Sequence, residues 1–188
     1  MIEEILPRLK RWALHHPEFD PVEDGLDESY GDVASVSFDA DDSFVLIDPL
    51  VPDELWPVLD EDVRESGKPV VVLTTISFHE RSRDEVARRY GARLGGDVAG
   101  VRAFSAERGD ENVLWLEPVR TVVVGDALLG DQAGGLRLTP WARNAEGLER
   151  TRVALLALLD LPVEIVLPAH GDPVLSDGHD ALARALTQ

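Results

Sequence analysis

Cysteine is missing from this chain of 188 residues. Its absence excludes disulfides, thiolate nucleophiles and cysteine-ligated zinc. Lysine is nearly missing too, present only at Lys10 and Lys68 beside sixteen arginines. No apolar run reaches the roughly 18 residues that a membrane-spanning helix needs. The start, Met1-Ile2-Glu3-Glu4, lacks the basic-then-apolar layout of a secretory signal, so a cytoplasmic location is expected. Positive charge is scarce overall: 36 acidic residues against 18 basic ones leave a net charge of −18. A field of that sign repels phosphate backbones and anionic lipid, so neither nucleic acid nor membrane is an expected partner. A small-molecule ligand is compatible with it. The acid surplus suits a high-salt habitat, where screening removes self-repulsion. It equally suits a coding bias that replaces lysine with arginine. Nothing in the sequence speaks to the oligomeric state.

What is present is ordinary globular material, 44% hydrophobic and 29% charged. The length suits one well-buried domain spanning residues 1–188, without repeats or low-complexity linkers. Leu9 to Leu14 is mixed, Val33 to Phe38 alternates, and Phe44 to Ile47 is continuously apolar, with acidic turn residues Asp39 to Asp42 between the last two. Pro52 opens a helix to about Glu65, with Asp53 and Glu54 at its positive end. Pro69 begins an apolar strand to Thr74, and Arg83 to Tyr90 is helical in pattern, with Gly91 as its stop. Weaker strands are predicted at Val98 to Phe104 and Val113 to Leu116, then a strong one at Thr121 to Val124. Arg143 to Leu159 is the longest predicted helix, followed by a strand at Val163 to Leu167 and a helix at Asp177 to Leu186. Strands first, then strands alternating with helices, point to two sheets with helices outside them.

Two strand ends carry groups of metal-ligand type. The apolar run Ile165-Val166-Leu167-Pro168-Ala169 ends in His170-Gly171, which puts an imidazole at the carboxyl end of a buried strand. Forty-four residues earlier, Thr121-Val122-Val123-Val124-Gly125-Asp126 does the same with a carboxylate. With Val45-Leu46-Ile47-Asp48-Pro49 and Val70-Val71-Val72-Leu73-Thr74, these segments make the chain resemble the metallo-β-lactamase fold superfamily over nearly its whole length. The resemblance implies an α/β fold, a four-layer αββα sandwich with Asp126 and His170 at one edge.

Active members of that superfamily carry H-x-H-x-D-H after a strand ending in Leu-Thr, plus a further histidine on a later strand. Those residues, with the Gly-Asp aspartate and the terminal His-Gly histidine, hold two metal ions that together activate a water. Here the segment reads Leu73-Thr74-Thr75-Ile76-Ser77-Phe78-His79-Glu80. Thr75 and Ser77 stand where the first two histidines belong, His79 at the aspartate and Glu80 at the last histidine. Between His79 and His170 there is no histidine, so by this resemblance the first metal site is lost.

The second site leaves His79, Glu80, Asp126 and His170 as candidates for one zinc, iron or manganese ion. The alternative is no cofactor: His79 caps the helix beginning near Arg81, Glu80 is solvated, and Asp126 bonds His170 directly. The missing ligands favour this metal-free state. The corresponding function is a largely emptied binuclear site in a non-catalytic or very weakly active protein that binds an unidentified ligand. A single-metal hydrolase of an ester, thioester or phosphoester is the alternative, with Asp126 and His170 as catalytic residues. A metal-free Asp126–His170 acid–base pair is a third. His15 and His16 read as a strand-end or surface pair, although in some relatives this loop overhangs the site. His179 reads as solvated, Trp115 and Trp141 as core or cleft wall, and Arg81 as a surface ion pair or a replacement for the lost positive charge.

Overall fold

The computed structural model describes residues 1–24, 27–131, 134–142 and 144–187. Six strands form the first sheet: β1 (Glu3–Leu6), β2 (Leu9–His15), β3 (Asp32–Asp39), β4 (Phe44–Ile47), β5 (Val70–Leu73) and β6 (Arg93–Leu94), in that spatial order. β1 to β4 are antiparallel neighbours, while β4, β5 and β6 run parallel. The second sheet has the order β12-β9-β8-β7, from β7 (Val101–Ser105), β8 (Asn112–Leu116), β9 (Thr121–Val124) and β12 (Ile165–Pro168). A small hairpin, β10 (Leu128–Gly130) with β11 (Leu136–Leu138), follows β9.

The sheets lie between helices. α1 (Pro21–Asp24) is one turn; α2 (Trp56–Ser66) and α3 (Arg83–Tyr90) cover the first sheet, α4 (Ala145–Leu155) and α5 (Gly178–Thr187) the second. The continuously apolar strands are explained by this layering, because each is buried on both faces. Val45, Ile47, Val71 and Leu73 point into the space between the sheets, where they meet Leu114, Leu116, Val123, Ile165 and Leu167. Phe44, Leu46, Val70 and Val72 point the other way, onto Trp56 and Leu59 of α2 and Val86 of α3. Val122, Val124 and Val166 turn outward onto Leu155, Leu182 and Leu186.

Several boundaries differ from the sequence expectation. The first helix starts later, since Asp53–Leu55 forms a 3-10 turn ahead of Trp56. The helix expected from Arg143 is capped by Asn144, whose side chain accepts the Gly147 N–H, and it tightens to a 3-10 turn over Leu156–Asp160. Arg143 itself lies outside the described residues. The strand expected at Val98 to Phe104 begins at Val101. β1, β6 and the β10–β11 hairpin are short and were not expected; most are too brief to show a period.

What the fold does for the site is bring four strand ends together. β4 runs into Asp48, β5 into the segment of Thr75 to His79, β9 into Asp126 and β12 into His170. The two sheets are joined at this edge by a hydrogen bond from Ala34 N–H to the Ala169 carbonyl at 2.8 Å and by a bridge between Val33 and His170.

Candidate metal centre

Asp126 is held from behind. Its N–H and that of Ala127 both donate to Glu111 Oε1, at 2.7 and 2.8 Å. Glu111 is 1% exposed, and its other oxygen pairs with Arg108 Nη1 at 2.9 Å. Burial pushes the Glu111 carboxyl up in pKa, while the Ala127 N–H and Arg108 oppose that rise. The glycine before Asp126 has a packing reason. A Cβ on Gly125 would sit 2.6 Å from Thr75 Oγ1 and 3.0 Å from Glu111 Oε1, so a larger residue would press on the side chains that hold Asp48 and Asp126. Gly171 has φ +81°, and a Cβ there would lie 2.2 Å from the Gly130 carbonyl oxygen.

His79 enters from the β5 side, buried, with a carboxylate at each nitrogen. Nδ1 lies 3.0 Å from Asp48 Oδ2 and Nε2 lies 3.2 Å from Asp126 Oδ1. Asp48 is itself fixed by the Thr75 N–H at 2.8 Å and by the Thr75 hydroxyl. Burial works against charge on the His79 ring, but the carboxylates of Asp126 and Asp48 outweigh it and hold its pKa at about 9. His170 presents Nε2 to the same Asp126 oxygen at 3.4 Å, and its Nδ1–H donates to the Tyr30 carbonyl at 2.9 Å. For Asp126, burial favours the neutral acid, yet the two histidines hold its pKa far below the ordinary carboxylate range.

The partners of the remote nitrogens decide where the lone pairs point. A carbonyl can only accept, so His170 Nδ1 carries a proton and its Nε2 is free to act as a ligand. Asp48 does the same for His79, a carboxylate orienting an imidazole. In the neutral tautomers, three acceptors therefore converge: His79 Nε2, His170 Nε2 and Asp126 Oδ1, all within 4.8 Å of one another. Asp126 Oδ1 is buried and makes no aligned hydrogen bond to either ring, despite the short contacts. Three acceptors with no donor among them need a cation, either protons on the rings or a metal ion. Two imidazoles and one carboxylate are a suitable set for a single zinc, iron or manganese ion.

Of the four candidate ligands, the fold brings His79, Asp126 and His170 together and leaves Glu80 out. Glu80 is exposed and pairs with Arg83, because the chain turns into α3 with the Glu80 side chain on its solvent side. His79 does not cap that helix; α3 begins at Arg83 after Ser82, which makes no side-chain cap. Thr75 and Ser77 bond carboxylates instead of backbone, Thr75 to Asp48 and Ser77 to Asp110. Arg81 is not a surface ion pair: its Nη1 donates to the carbonyls of Ala34 and Asp48, at 2.8 and 2.9 Å. Asp48 and Arg81 both have positive φ, 49° and 40°, so the backbone is strained on either side of the centre.

The centre forms the floor of a cleft of about 510 Å³ whose walls include His16, Phe19, Phe78 and Trp141. His16 thus faces the site, while His15 stays at the exposed strand end near Asp32. Trp141 packs edge-on against His170, with 5.3 Å between ring centroids, whereas Trp115 is buried in the outer core. His179 is exposed, its Nε2 3.0 Å from the Leu159 carbonyl. Asp48, Arg108 and Glu111 were not anticipated as site residues. Asp48 stood in a recognised strand-end pattern, but the other two lie in an irregular loop that offers no periodic signal.

No protein-family profile matches the chain, and no curated protein sequence matches it. Solved structures do. VMB-1, crystallised at pH 5.5, aligns with a TM-score of 0.66 at 10% identity, covering 100% of this chain and 94% of the other. The metallo-β-lactamase DIM-1 aligns at 0.60 with 13% identity, covering 100% and 95%. DIM-1 exposed to ceftazidime aligns at 0.57 with 15% identity, covering 100% and 96%. The chain has the metallo-β-lactamase fold.

Proposed function

We propose that this protein holds one divalent metal ion on His79 Nε2, Asp126 Oδ1 and His170 Nε2 and hydrolyses an ester, thioester or phosphoester. The observation that carries the reading is the convergence of three oriented acceptors in a cleft, with Asp126 Oδ1 buried and lacking an aligned partner among the described residues. When bound, such an ion polarises a carbonyl or phosphoryl oxygen and lowers the pKa of a water towards about 7. The protein's own part is positional. Asp48 and the Tyr30 carbonyl hold the imidazole rings, Glu111 holds the Asp126 backbone, and Trp141 and Phe78 shape the space for the substrate.

A metal-free binding protein is the second reading. It is favoured by Arg108 Nη1, which approaches Asp126 Oδ2 at 3.4 Å, and by the charge that Asp48 and Asp126 stabilise on His79. Protein loaded with zinc, manganese or iron is to be assayed on nitrophenyl acetate, a thioester and a nitrophenyl phosphodiester. The hydrolase reading expects turnover of one class that Asp126→Ala and His170→Ala each reduce at least 100-fold, a magnitude on the order of losing the ion's contribution. Absence of turnover with one ion bound, or turnover indifferent to both substitutions, would leave the binding protein.

A further inference from the structure

The cleft holds one carboxylate that no cation of the described residues answers. Its two guanidinium groups are committed at the floor: Arg108 pairs with Glu111 and Asp126, and Arg81 donates to two backbone carbonyls within the field of Asp48 and Asp126. His16 adds no positive charge either. Its Nδ1 accepts the Glu18 N–H at 3.3 Å, which an imidazolium cannot do. Glu18 itself is exposed on the cleft wall, and its carboxylate lies close enough to the His16 ring to act on its charge. Among the described residues Glu18 forms no salt bridge, unlike the acids of the floor.

The same cleft has three aromatic rings, each held in place. Phe19 packs over Gly31, where a Cβ would lie 2.7 Å from the ring. Trp141 stands edge-on to His170. Phe78 sits in the 3-10 turn Ser77–His79, between the buried His79 and a serine whose N–H and hydroxyl both donate to Asp110. Its ring is 82% exposed, so core packing does not explain it. Aromatic faces are the negative side of the ring quadrupole and attract cations, most of all where a carboxylate shares the space. The net charge of −18 acts in the same direction, concentrating small cations and repelling anions.

We propose that the mouth of this cleft binds an organic cation, an ammonium or quaternary ammonium group that lies against the wall of Phe19, Phe78 and Trp141 with Glu18 as its counter-charge. A neutral analogue gains only the apolar contact, and an anion meets the repulsion of Glu18. This names the substrate class of the proposed hydrolase, an ester, thioester or phosphoester of an amine-bearing compound, and rests on that reading for its role in turnover. Binding itself requires neither an ion nor catalysis.

The test titrates chelator-treated protein with benzyltrimethylammonium, benzyl alcohol and phenylacetate, three ligands with one ring and different charge. NMR shifts of the Trp141 indole follow the binding. The ammonium compound is expected to bind about tenfold tighter than the alcohol, and phenylacetate more weakly than either. Glu18→Gln and Phe78→Leu alter exposed side chains and are checked by thermal unfolding. Each should weaken the ammonium compound about threefold or more, and the alcohol less. The proposal is overturned if the ammonium compound binds no tighter than the alcohol. It is equally overturned if both variants fold and bind it unchanged, since the preference would then belong to the general field of an acidic protein. If a variant fails to fold, the other variant and the wild-type comparison decide. Zinc-loaded protein is assayed separately on acetylcholine and its neutral isostere 3,3-dimethylbutyl acetate. Ammonium binding without turnover would remove the hydrolase reading and keep the site. Turnover of both esters alike, with no ammonium preference in binding, would do the reverse.

Discussion

His79 is flanked by Asp48 at one nitrogen and Asp126 at the other, and that geometry has a consequence for pH. Its folded pKa of about 9 lies above the unfolded value of about 6.5. The imidazolium therefore stabilises the metal-free fold fully below about pH 6.5, and the contribution fades as pH rises through 9. Urea unfolding of chelator-treated protein should show stability falling by an amount on the order of 3 kcal/mol across that window. His79→Gln should flatten the slope; an unchanged slope would show that the ring is not held in charged form. A metal needs the same nitrogen deprotonated, so metal affinity should rise over the same range. At this scale Asp126 and His170 were legible because each closes an apolar run beside a glycine. His79 was legible as a candidate, and Glu80 was its equal in sequence. Only the turn into α3, which sends one side chain inward and the next to solvent, separates them. Of the two readings of Arg81, the surface ion pair fails, and nothing in its neighbours announces the carbonyls of Ala34 and Asp48.

The loop between β7 and β8 sets the position of β9's end through one side chain. Glu111 accepts two backbone N–H groups and an arginine while 1% exposed. Glu111→Ala strands the two backbone donors and leaves Arg108 only its longer contact with Asp126, a change expected to cost about 3–5 kcal/mol, the range for breaking a buried ion pair. Denaturant unfolding measures it, and a loss under about 1 kcal/mol would show that water replaces the carboxylate at little expense. The strands that frame the centre were readable because they are apolar on both faces and bounded by turn residues. The Glu111 loop was not, since its six residues between β7 and β8 have neither period nor motif. Nor were β10 and β11, three-residue strands too short to show a period; the close approach of Gly130 and Gly171 packs β10 against the turn after β12.

Across the whole molecule, charge works against compactness. With a net charge of −18, raising sodium chloride from about 0.1 to 1 M shortens the screening length from about 10 to 3 Å, so the melting temperature should rise. A fall would mean that surface pairs such as Arg120–Glu164 and Arg89–Asp60 outweigh the general repulsion. The sandwich itself was legible from the order of the apolar runs, and the comparison with VMB-1 and DIM-1 supports it across the full chain. The chemistry was less legible, because it depends on which side chains from four strand ends share one small volume. The most direct measurement is elemental analysis after zinc loading and gel filtration, on the wild type and Asp126→Ala together. The account predicts one ion per chain in the wild type and none in the variant. No retained metal in the wild type, or two ions per chain, would contradict it.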